Sequence, residues 1–215
     1  MPTRALVFDF DGTLADTESA VLQSWQETFR AHGTELPLEA WYAVIGTQHT
    51  TPAMFALLAE HVPGIDPKAL QPVTKARVHA LLESLGPREG VLDYLETAKD
   101  HGLKLAVASS SSGGWVNSHL DGLGLARYFD AVLTGDRHRA KPDPDLYLAA
   151  LDALGATAEE AIAFEDTPHG VTAAKAAGLT CVAVPNAITA SLDFGQADVV
   201  LPSFTAKPLD ALLSR

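Results

Sequence analysis

The sequence predicts an α/β protein built on a doubly wound, Rossmann-like parallel sheet, with an inserted α-helical cap. Three observations carry that expectation. Over residues 87–215, short apolar runs of strand length alternate with helix-length amphipathic stretches. Residues 36–85 keep helical spacing throughout and give no strand signal. One apolar run, residues 4–10, precedes that helical stretch and breaks at the turn signal Gly12-Thr13. The division expected is a core of residues 1–15 and 87–215, with a cap of residues 16–86.

Each element has its own reason. Residues 4–10 are rich in strand formers and stop at a glycine, as a buried strand does. Residues 16–32 then space Val21, Leu22, Trp25, Thr28 and Phe29 at three- and four-residue steps, with Asp16 or Thr17 as cap and Gly33 as terminator. From 36 to 85 helical pieces are punctuated by Pro37, Gly46, Pro52, Pro63-Gly64, Pro67 and Pro72. Beyond it, helices at 90–101, 115–123, 145–154 and 170–177 separate strands at 104–108, 131–134, 161–164 and 180–184, and a last strand follows at 198–201. Strand and helix in that alternation imply right-handed crossovers and a parallel sheet.

At 215 residues the chain can bury a large core, and 47% apolar with 20% charged residues is ordinary for a folded enzyme. The net charge of −12 argues against nucleic acid or an anionic membrane as partner, because both require a basic surface. No apolar run approaches a membrane span. The lone cysteine, Cys181, allows no internal disulfide and no thiol cluster for zinc, which fits a reducing cytoplasm. Monomer and homodimer both remain open.

Asp9 and Asp11 fall where the first strand ends. They are either turn formers, a frequent use of aspartate, or two crowded carboxylates relieved by a divalent cation. Gly12 and Thr13 offer backbone N–H groups to an anion in the second reading. Three further strand ends deliver polar residues: Ser109, Lys141 in the loop Ala140-Lys141-Pro142-Asp143-Pro144, and Glu165-Asp166. Taken singly they read as a turn cap, a surface charge and a helix entry. In a parallel sheet they converge on the face that carries Asp9 and Asp11. Several hard oxygen ligands without histidine or thiolate suit Mg²⁺ rather than zinc.

The series Asp9-Phe10-Asp11-Gly12-Thr13, Ser109, Lys141-Pro142-Asp143-Pro144 and Phe164-Glu165-Asp166-Thr167 resembles, in order, the four motifs of the haloacid dehalogenase superfamily. The helical insertion resembles the cap of its phosphatase and β-phosphoglucomutase-like branch. That resemblance implies Asp9 as the nucleophile and Asp11 as the acid and base. It implies Mg²⁺ held by Asp9, the Asp11 carbonyl and Asp166, with Glu165 supporting, and phosphoryl oxygens held by Gly12, Thr13, Ser109, Ser110 and Lys141. The expected reaction is hydrolysis of a small phosphorylated metabolite, such as a sugar phosphate or phosphoglycolate, through an aspartyl-phosphate. A sugar-phosphate mutase is the alternative within the branch. Mutases of this kind carry a histidine where this chain has Val21 and an arginine where it has His49. A catalytically silent, phosphometabolite-binding relative is the alternative from another class. Gly46, Thr47, Gln48, His49 and Ser111 are candidates for contact with the leaving group. Trp25, Trp41 and Phe55 read as cap core, residues 115–125 as scaffold, and His169 as a surface helix entry.

Overall fold

The computed structural model describes residues 2–45, 47, 50–83 and 85–214. Six strands are found among them: β1 (Ala5–Phe8), β2 (Lys104–Ser109), β3 (Ala131–Thr134), β4 (Ala161–Glu165), β5 (Thr180–Ala183) and β6 (Val199–Val200). They form one sheet in the order β3-β2-β1-β4-β5-β6, and every pair is parallel. The chain runs outward from β1 through β2 to β3, then returns to the other side of β1 for β4, β5 and β6. The reversal leaves a crevice at the carboxyl end of β1, where open α/β sheets place their ligands.

Side chains alternate across the buried strands, and the two faces differ in bulk. One carries Leu6, Phe8, Leu105, Val107, Ile162, Phe164 and Val182, and packs on α5 (Val91–Asp100) and α6 (Gly113–Gly122). Phe8 stacks on Phe164 with centroids 4.7 Å apart, and Tyr94 meets Phe164 edge-on. The other face carries Ala5, Val7, Ala106, Ala108, Ala161, Ala163, Cys181 and Ala183. Those small side chains let α7 (Asp145–Leu154) and α8 (Pro168–Ala176) approach closely, so groups on both helices come near the strand ends.

Between β1 and α5 the chain is helical: α1 (Thr17–Ala31), α2 (Leu38–Tyr42), α3 (Thr50–His61) and α4 (Pro67–Leu82). These helices enclose their own apolar cluster of Trp25, Phe29, Leu36, Trp41, Ile45, Met54, Phe55 and Leu58, which includes the three aromatics, Trp25, Trp41 and Phe55, that read as core from their spacing. The segment leaves and rejoins the rest at adjacent points, where Ala15 pairs with Pro87 in an antiparallel bridge.

Element ends depart from expectation for local reasons. β1 stops at Phe8 because the chain curls at Phe10, whose carbonyl accepts the N–H groups of Thr13, Leu14 and Ala15. α6 begins two residues earlier than expected, since Ser112 caps it by accepting the Trp115 N–H. α8 likewise starts at Pro168, with Thr167 as cap. A short terminal helix, α9 (Asp210–Leu213), has no counterpart in the periodicity. No helix among the described residues is long and apolar enough to cross a membrane.

Candidate active site

The curl after β1 sets the first part of the site. Gly12 takes φ of 82°, and a Cβ there would lie 2.2 Å from Asp166 Oδ2, so both backbone and space require glycine. The N–H groups of Gly12 and Thr13, expected to face an anion, are instead taken by the Ala15 and Phe10 carbonyls within the loop. A tight turn satisfies its own donors first, and sequence alone does not reveal which ones remain. Thr13 contributes through its hydroxyl, which donates to Asp166 Oδ1 at 3.0 Å.

Asp9, Lys141 and Glu165 come together as the strand ends require. Asp9 follows β1, its N–H still bonded to the Phe164 carbonyl, and Glu165 closes β4. The buried Lys141 ammonium lies 2.5 Å from both Asp9 Oδ1 and Glu165 Oε1. Asp9 Oδ2 is buried with no hydrogen-bond partner among the described residues. Burial pushes the Asp9 carboxyl up to about 7; Lys141 opposes that rise, and the Glu165 and Asp11 charges add to it. Burial alone would lower Lys141, but the two carboxylates outweigh it and hold the ammonium above its ordinary value. Glu165 Oε1 also accepts from Tyr147 Oη at 2.6 Å, and Oε2 accepts from the Asp166 N–H, the Thr167 N–H and the Thr167 hydroxyl. The glutamate is therefore saturated with donors and acts as the anchor of Lys141.

Asp9, Glu165 and Asp166 each place a carboxylate oxygen within 4.8 Å of the others. Burial and the charges of Asp9, Glu165 and Glu18 raise Asp166 well above the usual carboxylate range, with Arg88 opposing them. Asn186 Nδ2 donates to Asp166 Oδ2 at 2.8 Å. Arg88 clamps the surrounding backbone, its guanidinium donating to the carbonyls of Gly12, Val184 and Pro185 at 2.7 to 2.8 Å. A buried cluster of carboxylates with one unpartnered oxygen suits a cation, and its all-oxygen donor set fits a hard divalent ion.

Asp11 turns away from that cluster. Its Oδ1 accepts from the Thr17 hydroxyl and the Trp115 indole N–H, both at 2.8 Å. Its Oδ2 accepts from the hydroxyls of Ser111 at 2.6 Å and Ser109 at 3.3 Å. Ser109 Oγ in turn accepts the Ser111 N–H, and Ser110 Oγ accepts the Lys141 N–H. A cavity of about 40 Å³ is lined by Asp9, Asp11, Glu18, Thr47, Ser109, Ser110, Ser111, Lys141, Asp166 and Thr167. Thr47, a candidate for contact with the leaving group, lines this cavity, whereas Gly46, Gln48 and His49 lie outside the described residues. His169 is no simple surface group: its Nδ1 lies 3.2 Å from the Ile45 carbonyl of the helical segment.

Five residues of the site escape the sequence reading. Tyr147, Arg88 and Asn186 act from helices and loops far along the chain, and nothing in their local pattern marks them. Glu18, half-buried on α1, is raised well above its usual range by burial and by Asp11, Asp9 and Asp16. Its position just after Asp16-Thr17, the cap of a helix leaving the site, was an available signal. Trp115, expected to be scaffold, donates its indole N–H to Asp11 from the first turn of α6.

Comparison with known proteins agrees with this arrangement. The family model described as haloacid dehalogenase-like hydrolase matches residues 6–184. The chain is 42% identical to the putative phosphatase YhcW of Bacillus subtilis, over 98% of this chain and 96% of that one. It is 34% identical to the fructose-1-phosphate phosphatase YqaB of Escherichia coli, over 83% and 95%. The crystal structure of CbbY from Rhodobacter sphaeroides in complex with phosphate superposes with a TM-score of 0.77 at 32% identity, covering 95% of each chain. With most of its length matched and its carboxylates gathered at the end of β1, the chain belongs to the haloacid dehalogenase-like hydrolase family.

Proposed function

We propose that this protein is a Mg²⁺-dependent phosphatase that hydrolyses a small phosphate monoester, of the sugar phosphate or phosphoglycolate kind, through an aspartyl-phosphate on Asp9. The observation that carries the reading is the pairing of roles at the end of β1. Asp9 is fixed by Lys141 through one oxygen while the other is left without a partner among the described residues, and Asp11, two residues on, lines the same cavity within a ring of donors.

Asp9, Asp166 and the Asp11 carbonyl would hold the metal, with Glu165 behind them as the group that locates Lys141. Bound there, Mg²⁺ would offset the charge of the carboxylates and of the phosphoryl oxygens. Asp9 attacks phosphorus in line with the ester oxygen. Lys141 keeps two of its three N–H donors on Asp9 and Glu165, and the third is available to a phosphoryl oxygen together with the hydroxyls of Ser109 and Ser110. Asp11 delivers a proton to the departing alcohol and later takes one from the attacking water. Residues 16–86 serve as a cap over the core of 1–15 and 87–215. Their separate apolar cluster and the Ala15–Pro87 crossing support that division. The named activities of YhcW and YqaB support hydrolysis, and a single buried cysteine supports a reducing cytoplasm as the compartment.

The test is phosphate release from p-nitrophenyl phosphate and from a panel of sugar, glycolate and glycerol monophosphates, with Mg²⁺ and with chelator. Metal-dependent release is expected, and Asp9→Asn should abolish it; a few per cent of residual activity in protein free of deamidation would overturn the covalent route. Conversion of β-glucose 1-phosphate to glucose 6-phosphate, given a trace of bisphosphate, would establish a mutase instead.

A further inference from the structure

We propose that Trp115 is a positioning residue for Asp11: its indole N–H fixes Oδ1 as the accepting oxygen, so that Oδ2 carries the proton and delivers it to the leaving group. The inference rests on the phosphatase reading above and assigns, within it, a residue and an oxygen. Four donors surround the Asp11 carboxylate, and they are not equivalent. The hydroxyls of Thr17, Ser109 and Ser111 can each turn and accept, whereas an indole N–H only donates. A proton on Oδ1 could be passed only to the Thr17 hydroxyl, and it would leave Oδ1 a weak hydroxyl acceptor for the Trp115 N–H 2.8 Å away, which cannot turn to accept. A proton on Oδ2 meets two serine hydroxyls that can reverse.

Geometry gives Oδ2 the right outlook. Ser109 and Ser111, its partners, line the same small cavity as Asp9 and Lys141, where the phosphoryl group would sit. Trp115 is absent from that lining and instead forms part of the wall of two adjoining cavities. One, of about 270 Å³, includes Asp11 and Thr47; the other, of about 490 Å³, runs between α1, α4 and α6. The indole thus stands behind the acid and beside the space available to a leaving group. It is held from both sides. Its ring contacts His119 of α6 at 4.0 Å between centroids and His79 of α4 at 6.0 Å, and it packs on the cluster of Ala20, Val78 and Leu82.

The step balances without a further reagent. Asp9 forms a bond to phosphorus, the ester P–O bond breaks with its electron pair on the leaving oxygen, and that oxygen takes the Oδ2 proton. Alcohol, acyl phosphate and an Asp11 carboxylate facing its four donors result.

Trp115→Phe keeps a ring in the wall and removes the N–H; replacement of Trp115 by 3-benzothienylalanine keeps the full shape and removes the N–H as well. Both are compared with wild type in kcat and KM, with saturating Mg²⁺, on p-nitrophenyl phosphate and on glycerol phosphate. Loss of a hydrogen bond to a charged group predicts a fall in kcat on the alkyl ester of roughly ten- to a hundredfold. The aryl ester, which needs little protonation, should fall at least several times less, with KM held within about threefold by the retained ring. In an Asp11→Asn background, the loss of the N–H should add nothing further. Equal losses on both esters, an undiminished loss in the Asp11→Asn background, or no loss from the sulfur isostere would each overturn the assignment. Failure of wild type to release phosphate from either ester would sink the phosphatase reading itself, a separate and recognisable result.

Discussion

Replacing Lys141 with methionine keeps an unbranched apolar stem and removes the ammonium that separates Asp9 from Glu165. Each contact is 2.5 Å, and at an effective dielectric near 20 each is worth roughly 6 to 7 kcal/mol before solvation is counted. Desolvation of three buried ions cancels most of that gain, and removal of one partner of a buried pair typically costs about 3 to 5 kcal/mol. Two carboxylates lose their partner here, so the upper end applies, and for a domain of this size the metal-free protein should melt roughly 10 to 20 °C lower at pH 8. The sign with pH follows from Asp9. Its folded-state value is raised from 3.8 to about 7, so the protonated form suits the fold, and ionisation between those values costs stability as pH rises. Lys141 holds that value down, so its loss raises Asp9 further, the variant gains more from acidification than wild type does, and the melting deficit of Lys141→Met should shrink at pH 5. A second substitution, Glu165→Gln, supplies the control: its amide nitrogen can take the place of Oε1, where Tyr147 can turn to accept, while its oxygen keeps the backbone donors on the other side. The double variant should recover about 1 to 2 kcal/mol relative to Lys141→Met. Differential scanning calorimetry in chelator measures all three proteins. A Lys141→Met midpoint within about 3 °C of wild type at pH 8, or a double variant less stable than the single, would refute the ion-pair argument.

Other expectations follow from the same geometry. Gly170→Ala would place a Cβ 1.9 Å from the Glu165 carboxyl carbon, inside a saturated hydrogen-bond cluster, so a loss of about 1 to 3 kcal/mol in chemical denaturation and a large fall in turnover are expected. Asp11→Asn should slow alkyl monoesters far more than p-nitrophenyl phosphate, and equal losses measured on the two would remove Asp11 as the acid. On the surface, Arg77 grips Glu27 with two hydrogen bonds, of 2.6 and 3.0 Å, and its hydrogen bond lowers the Glu27 carboxyl to about 2. That pair ties α1 to α4 and stabilises above pH 4.5, its contribution fading as pH falls toward 2. Arg77→Met should return the Glu27 titration, followed by NMR, toward its ordinary value. Its small effect on melting at pH 7 should vanish in about 1 M salt, where the screening length is only about 3 Å.

Much of the site was legible because a parallel sheet converts sequence order into place. Asp9, Ser109 and Glu165 each end or follow an apolar run, and once those runs are strands of one parallel sheet their polar ends must meet. Lys141 and Asp166, one residue or one loop beyond, share that edge. The apolar periods likewise announced that Trp25, Trp41 and Phe55 belong to a second, helical core. The sequence could not reveal how the donors are distributed. Gly12 and Thr13 N–H groups close their own turn, Glu165 anchors Lys141 through one oxygen while the other takes the donors of Asp166 and Thr167, and a tryptophan indistinguishable from scaffold reaches Asp11. Apolar and polar periodicity is written in neighbouring residues, so the sequence by itself determines strands, helices and the edge where carboxylates gather. A hydrogen bond between Trp115 and Asp11, or between Tyr147 and Glu165, depends on where helices packed on that sheet come to rest. Only the tertiary structure decides it, because the angle and depth of a packed helix are set by the volumes of side chains from distant parts of the chain.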